Sequence, residues 1–198
     1  MAFPASEAGA KQFETLTLNK FISAESIDQG MTQSGIQFSL GEGYKSYYPE
    51  IRYGLGALME VGVKFGVTTV DTGPDDRNAA LVGLDLKYQL VKQSEGIPLD
   101  MAVDLGFDTH LLNSKNVSEV TFATIVSKSY PLTERGYKLK PYGGIEMSSV
   151  SGSYMTHDIT NYYVFAGLEW KISRRFMTML EFKTGDGNIG GIGIRFEY

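Results

Sequence analysis

The sequence predicts an all-β chain, a transmembrane antiparallel up-and-down β-barrel of about ten strands over residues 31–198. Three observations predict it. Apolar and polar residues alternate with a period of two almost everywhere from residue 35 onward, as they do in strands with one apolar and one polar face. The alternating segments typically run ten to twelve residues. That exceeds the usual soluble strand of about 5–6 residues and matches the roughly 9–11 that a tilted strand needs to cross a bilayer. Finally, the glycines fall on the polar face, which identifies that face as the concave one.

Taken in order, turn residues divide the chain into segments at 34–43, 48–57, 59–69, 79–91, 98–108, 117–128, 137–148, 160–171, 175–184 and 188–198. In the first, Ile36, Phe38 and Leu40 alternate with Gln37, Ser39 and Gly41. In the third, Val61, Val63, Phe65 and Val67 alternate with Glu60, Gly62, Lys64 and Gly66. In the fifth, Leu99, Met101, Val103, Leu105 and Phe107 alternate with Asp100, Ala102, Asp104, Gly106 and Asp108. The sixth segment leaves its face open, because Val120/Phe122/Thr124/Val126 and Thr121/Ala123/Ile125 are nearly equivalent. Ala57-Leu58, Lys92–Gly96, Ser129–Gly136 and Ser173-Arg174 connect strands at one end. Tyr44–Tyr47, Val70–Asn78, Thr109–Asn116, Ser149–Ile159 and Gly185–Gly187 connect them at the other. An even strand number puts both termini at the periplasmic end of a bacterial barrel. Residues 1–30 stand apart: Phe13–Phe21 alternates weakly and Ala24–Gly30 reads as a loop. A periplasmic arm or a partial plug is expected there, since single-chain bacterial barrels have even strand counts.

Gly35, Gly41, Gly43, Gly54, Gly56, Gly62, Gly66, Gly83, Gly106, Gly144, Gly167, Gly191 and Gly193 share the polar face, with Gly143 and Gly190 as exceptions. Small residues relieve crowding where side chains converge inside a closed sheet, whereas on a convex wet surface they only weaken strands. The polar face is therefore read as the lumen. The Val, Leu, Ile and Phe face then points outward, which lipid tolerates and water does not. A soluble ligand-binding barrel, with the faces reversed, is the alternative. Basic side chains facing mid-bilayer would cost about 2–4 kcal/mol each, which disfavours that reversal in a membrane. Aromatics fall near segment ends, as interfacial girdles require: Tyr44, Tyr47, Tyr48, Phe107 and Tyr162 towards one rim, with Tyr88, Tyr137, Trp170, Phe176 and Tyr198 towards the other.

Composition narrows the remaining classes. The chain has 198 residues, a formal net charge of -5 and no basic block, so nucleic acid is not an expected partner. No Cys is present, which excludes disulfides and thiolate metal sites. The start, Met1-Ala-Phe-Pro-Ala-Ser, lacks a basic and an apolar region and reads as a mature start behind an added Met.

The last six residues, Gly193-Ile194-Arg195-Phe196-Glu197-Tyr198, resemble the C-terminal signal by which outer-membrane barrels are recognised for assembly. In that signal a Gly is followed by an aromatic three residues on and a terminal aromatic two after that. Tyr198 stands where the family usually has Phe. Ile51-Arg52-Tyr53-Gly54-Leu55, Met59-Glu60-Val61-Gly62-Val63 and Lys140-Pro141-Tyr142-Gly143-Gly144-Ile145 resemble small barrels grouped with aromatic-hydrocarbon uptake proteins. The resemblance implies residence in the bacterial outer membrane. The partners it implies are outer-membrane lipid, lipopolysaccharide and the barrel-assembly machinery, with Gly193, Phe196 and Tyr198 as the assembly signal.

The candidate site is the set of lumen charges: Glu50, Arg52, Glu60, Lys64, Asp85, Lys87, Asp100, Asp104, Lys140, Glu146, Glu169, Glu181, Lys183 and Arg195. An eight-stranded barrel is just filled by side chains, so ten strands leave a narrow interior. One reading is an ion-pair network that closes it, because buried charges require partners. The other is a thin polar conduit in which Arg52, Lys64, Lys140 and Arg195 face Asp85, Asp100, Asp104 and Asp108. The two histidines, in Asp108-Thr109-His110 and His157-Asp158, fall in expected extracellular loops beside acids. An Asp–His pair could activate water, and two His could bind a metal. Ordinary exposed loop residues are the simpler reading, and no phosphate loop or zinc signature occurs. No enzyme, cofactor or metal is expected. The functional expectation is a small transport or channel-like barrel for small solutes or apolar molecules. Its alternative is a closed structural or surface-interaction barrel, and a hydrolase comes third.

Overall fold

The computed structural model describes residues 16–71, 76–112, 115–132, 137–153, 155 and 157–198. Its strands are β1 (Thr32–Gly41), β2 (Tyr44–Gly56), β3 (Met59–Asp71), β4 (Asp76–Val91), β5 (Asp100–Leu112), β6 (Lys115–Ser127), β7 (Tyr130–Pro131), β8 (Lys138–Gly152), β9 (Ile159–Lys171), β10 (Phe176–Gly185) and β11 (Ile189–Glu197). Each long strand pairs antiparallel with its neighbour in sequence, β1 pairs with β11, and β6 pairs with β8. Those last two pairings close a ten-stranded barrel and abolish its edges. The two-residue β7 only extends the rim beside the start of β8.

Alternation sets the faces as physical chemistry requires. Along β4, Val82, Leu84, Leu86 and Tyr88 are exposed while Leu81, Asp85, Lys87 and Gln89 are buried. The ambiguous sixth segment resolves the same way, with Val120, Phe122 and Val126 outward and Glu119, Thr121, Ala123 and Ile125 inward. The inward glycines are occupied space. A Cβ on Gly106 would lie 3.1 Å from the Lys20 ammonium, and one on Gly191 would collide with the Phe21 ring, whereas outward Gly190 has nothing within 4 Å. The Gly54–Gly56 bulge leads into a tight turn in which Ala57 and Leu58 both adopt positive φ, 49° and 65°. Such a turn matches the right-handed twist of a hairpin.

Several strands run further towards the extracellular end than the sequence suggested. Tyr44–Tyr47 belongs to β2, Thr109–Leu112 to β5 and Ser149–Gly152 to β8. Their polar and small residues read as turns, but inward side chains such as Tyr44, Leu112 and Val150 continue the wall there. Two aromatic assignments are corrected with them. Tyr44 and Tyr48 are buried in the lumen, whereas Tyr47, Phe107 and Tyr162 of that group face outward. His110 is likewise a buried, inward residue of β5 and no loop residue. Parts of four expected connections, at 72–75, 113–114, 133–136 and positions 154 and 156, lie outside the described residues, as do residues 1–15 of the N-terminal segment.

Candidate functional site

The interior of the barrel is the site; residues 16–27 occupy it and residues 28–30 are exposed at its mouth. This stretch approaches β1 at the periplasmic rim, where the Gly30 N–H donates to the Gly54 carbonyl at 2.9 Å. It runs up through the lumen to Leu16. That residue packs among Tyr44, Val70, Leu112, Val117 and Val150, near the extracellular ends of their strands. Leu16, Thr17, Phe21 and Ala24 have no solvent exposure at all.

The buried backbone of this stretch forms no strand, so its polar groups need other partners. Side chains of the wall supply many of them. Glu181 accepts the N–H groups of Lys20 and Phe21, each at 2.7 Å. Lys183 donates to the Leu18 carbonyl at 2.6 Å, Tyr48 to the Asn19 carbonyl at 3.2 Å and Lys87 to the Ser23 carbonyl at 2.7 Å. Ser127 accepts from Ala24 at 3.1 Å and Glu60 from Ile27 at 2.8 Å. Apolar side chains of the segment fill the space between: Leu18 and Phe21 meet Tyr48, Leu81 and Met179, while Ile22 and Ala24 meet Ile125, Tyr142 and Phe165.

All fourteen candidate charges lie buried in this lumen. Arg52 is the most connected, with Glu50 at 2.7 Å, Glu60 at 2.9 Å and Asp85 also in contact. Arg195 pairs with the other oxygen of Glu50. Lys64 meets Asp108 at 2.9 Å, Lys87 meets Glu60 at 3.2 Å, and Lys183 meets Glu146 at 2.8 Å. Lys140 lies 2.7 Å from Glu169 and 2.7 Å from Glu25 of the inner segment. Asp104 is paired with Lys20 of that segment at 2.9 Å. Asp100 accepts from the Gln89 amide at 2.7 Å and the Gln93 N–H at 2.8 Å, so amides hold it where the conduit reading expected a facing cation.

Glu25 stands at the periplasmic mouth, outside the strands. Burial alone would raise its carboxyl, but Lys140 and Lys138 outweigh that effect and hold it at about 2, against an ordinary 4.5. Near the opposite mouth, His110 and the second Glu119 oxygen have no hydrogen-bond partner among the described residues. Glu25 and Lys20 were missed by sequence reasoning because they lie in a stretch without clear periodicity. Glu119 was missed because its strand had two near-equal faces. At the C-terminus, Phe196 and Tyr198 face outward and Gly193 and Arg195 inward.

No family model matches this chain, and no curated protein matches it by sequence. Among solved structures it is similar to the N-terminal β-barrel domain of Pseudomonas aeruginosa OprF, at 14% identity over 87% of this chain and 100% of that one, TM-score 0.42. It is also similar to the β domain of the Bordetella autotransporter BrkA, at 9% identity over 85% and 98% of the two chains, TM-score 0.48. Acinetobacter baumannii outer-membrane protein Omp33 gives 8% identity over 87% and 100%, TM-score 0.38. The geometry described above stands independently of these likenesses. Ten antiparallel strands close into a barrel, its outer face is apolar, and both ends of the sheet meet at one rim. That is the build of a bacterial outer-membrane β-barrel.

Proposed function

We propose that the chain is a sealed outer-membrane barrel, non-conducting at rest and without catalytic activity, whose role lies in its surfaces. The observation that carries this reading is the burial of residues 16–24 along the lumen, with wall side chains bonding many of their backbone groups. A solute following the barrel axis would have to displace this segment and strip partners from several buried charges. Leaving one member of a buried pair uncompensated costs about 3–5 kcal/mol. His110 on β5 is fully buried and closed off from bulk solvent. The partners in this reading are outer-membrane lipid, lipopolysaccharide and the barrel-assembly machinery, with no nucleic acid.

Planar-bilayer recording tests the seal. The intact chain is expected to be electrically silent, and a variant lacking residues 1–30 is expected to show discrete openings. Regular openings of the intact chain would defeat the reading.

A second reading is a transport barrel gated by the same segment. It is favoured by one observation: residues 16–24 join no ladder, so their release would leave every strand pairing intact. Openings that appear only under voltage or low pH, in the intact chain, would support it.

Phe196 and Tyr198 are proposed to serve assembly beyond their packing. The double change Phe196→Ala with Tyr198→Ala is expected to reduce insertion in cells more than refolding in detergent. Equal losses would make the two residues merely structural.

A further inference from the structure

We propose that the outer wall carries a specific binding site for one glycerophospholipid of the periplasmic leaflet, across the seam where β1 meets β11. The site begins with an irregularity in the sheet. The β2–β3 ladder runs to Tyr47↔Val67 and resumes only at Glu50↔Lys64, skipping Tyr48 and Pro49. Pro49 has no N–H to give to a ladder and contributes only a compact ring to the outward face.

Around it the outward side chains are uneven in height. Ser34 and Pro49 are small, while Ile36, Ile51, Phe176 and Phe196 stand up around them. The result is an apolar groove with a volume of about 640 Å³ on the lipid-facing surface. A continuous belt of exposed Val, Leu, Ile and Phe surrounds it, so the phase that meets the groove is hydrocarbon. A flexible acyl chain can fill such a channel, which a rigid flat surface could not.

The second observation lies at the lower end of the groove. Phe176 and Phe196 pack together there, ring centroids 5.2 Å apart. Arg174 and Arg175 come immediately before Phe176 in the β9–β10 turn, and the Glu197 N–H donates to the Arg175 carbonyl at 2.8 Å, which places that turn beside Phe196. Both arginines are exposed, and neither forms an ion pair among the described residues. The turn belongs to the periplasmic rim, the level of the inner-leaflet phosphates. A guanidinium is suited to phosphate through its fork of donors. A groove for one chain with two unpaired arginines at its interfacial end fits one molecule with both an acyl tail and a phosphate. Lipopolysaccharide occupies the other leaflet, and an apolar solute would make no use of the arginines.

Native mass spectrometry of the full chain in detergent, with added palmitoyl-oleoyl phosphatidylglycerol, tests this. One lipid per barrel is expected to be retained at collision energies that strip the rest. Replacing both arginines, Arg174→Gln with Arg175→Gln, should weaken that retention roughly thirtyfold, the scale expected for two basic groups at an anionic lipid surface. Ser34→Trp fills the floor of the groove from the lipid side and should also abolish retention while leaving the arginines in place. Val120→Trp, on the outward face of β6, is the control and should change nothing. Heat-modifiable gel migration confirms that each variant is folded. The proposal is overturned if either site variant retains lipid normally, or if the control loses it equally, which would mean unselective annular lipid. A dimer that Ser34→Trp dissociates would also overturn it, since the groove would then bind a second copy of the chain.

Discussion

The two ends of the inner segment are held by different physics. At the extracellular end, Leu16 sits in a cluster of buried apolar residues that includes Val70, Val117, Val150 and Ile189. Among the polar groups at that level the Tyr44 hydroxyl bonds the Thr17 backbone, while both His110 nitrogens have no partner among the described residues. At the periplasmic end the contacts are ionic: Lys140 joins Glu25 to Glu169, and Lys87 joins Glu60 to the carbonyls of Ser23 and Glu25. The upper anchor therefore depends on shape and dehydration, and the lower one on protonation state.

The largest expected effect concerns the charge network on which the lower half rests. Arg52→Met removes the one cation shared by Glu50, Glu60 and Asp85. It should cost about 3–5 kcal/mol, because three buried carboxylates lose their common partner. Urea unfolding from lipid vesicles measures this, and a loss under 1 kcal/mol would erase the claimed contrast between the halves.

Next comes the apolar anchor. Leu16→Ala should cost about 2–5 kcal/mol, the range for buried leucines that leave a cavity. Its signature is indifference to pH between 3 and 6 (roughly the carboxylate range). A strong pH dependence of that loss would mean that the upper end is electrostatic after all.

The smallest effect belongs to Glu25, whose side chain keeps 28% of its exposure. Its folded value of about 2 lies below the ordinary 4.5, so its stabilisation is fully present above pH 4.5 and is lost as pH falls towards 2. Glu25→Gln should remove that component of the acid sensitivity and cost no more than about 1 kcal/mol at neutral pH. Comparing unfolding midpoints of the two proteins from pH 6 down to pH 2 decides it: parallel curves would show that the Lys140 contact carries no weight.

Much of the barrel was readable because a closed sheet imposes one rule on every strand. Once glycine placement identified the concave face, the inward positions of Asp85, Lys87 and Asp104 followed from counting by two. The exceptions have a common cause. Tyr44 and Tyr48 were read as girdle aromatics, but a hydroxyl on a long ring can also reach across a lumen to a backbone carbonyl, and these two do. Residues 16–24 carry no period because their partners are side chains spread over several strands, so no regular repeat is imposed on them. Which cation meets which acid was illegible for a similar reason. Pairing depends on the height of each residue along its strand, and hence on a stagger that alternation does not encode.

Lys20 illustrates what the filled lumen does to the barrel as a mechanical object. Its ammonium holds Asp104 on β5 at 2.9 Å, while its amide N–H holds Glu181 on β10 at 2.7 Å. Around the ring these two strands are separated by four steps in one direction and six in the other, close to opposite sides. The residue acts as a tie rod across the bore. An empty ten-stranded cylinder can flatten into an ellipse by flexing its walls, but a cylinder braced across its width resists both collapse and widening. The lateral pressure of the surrounding bilayer is then borne by the strut as well as by the sheet.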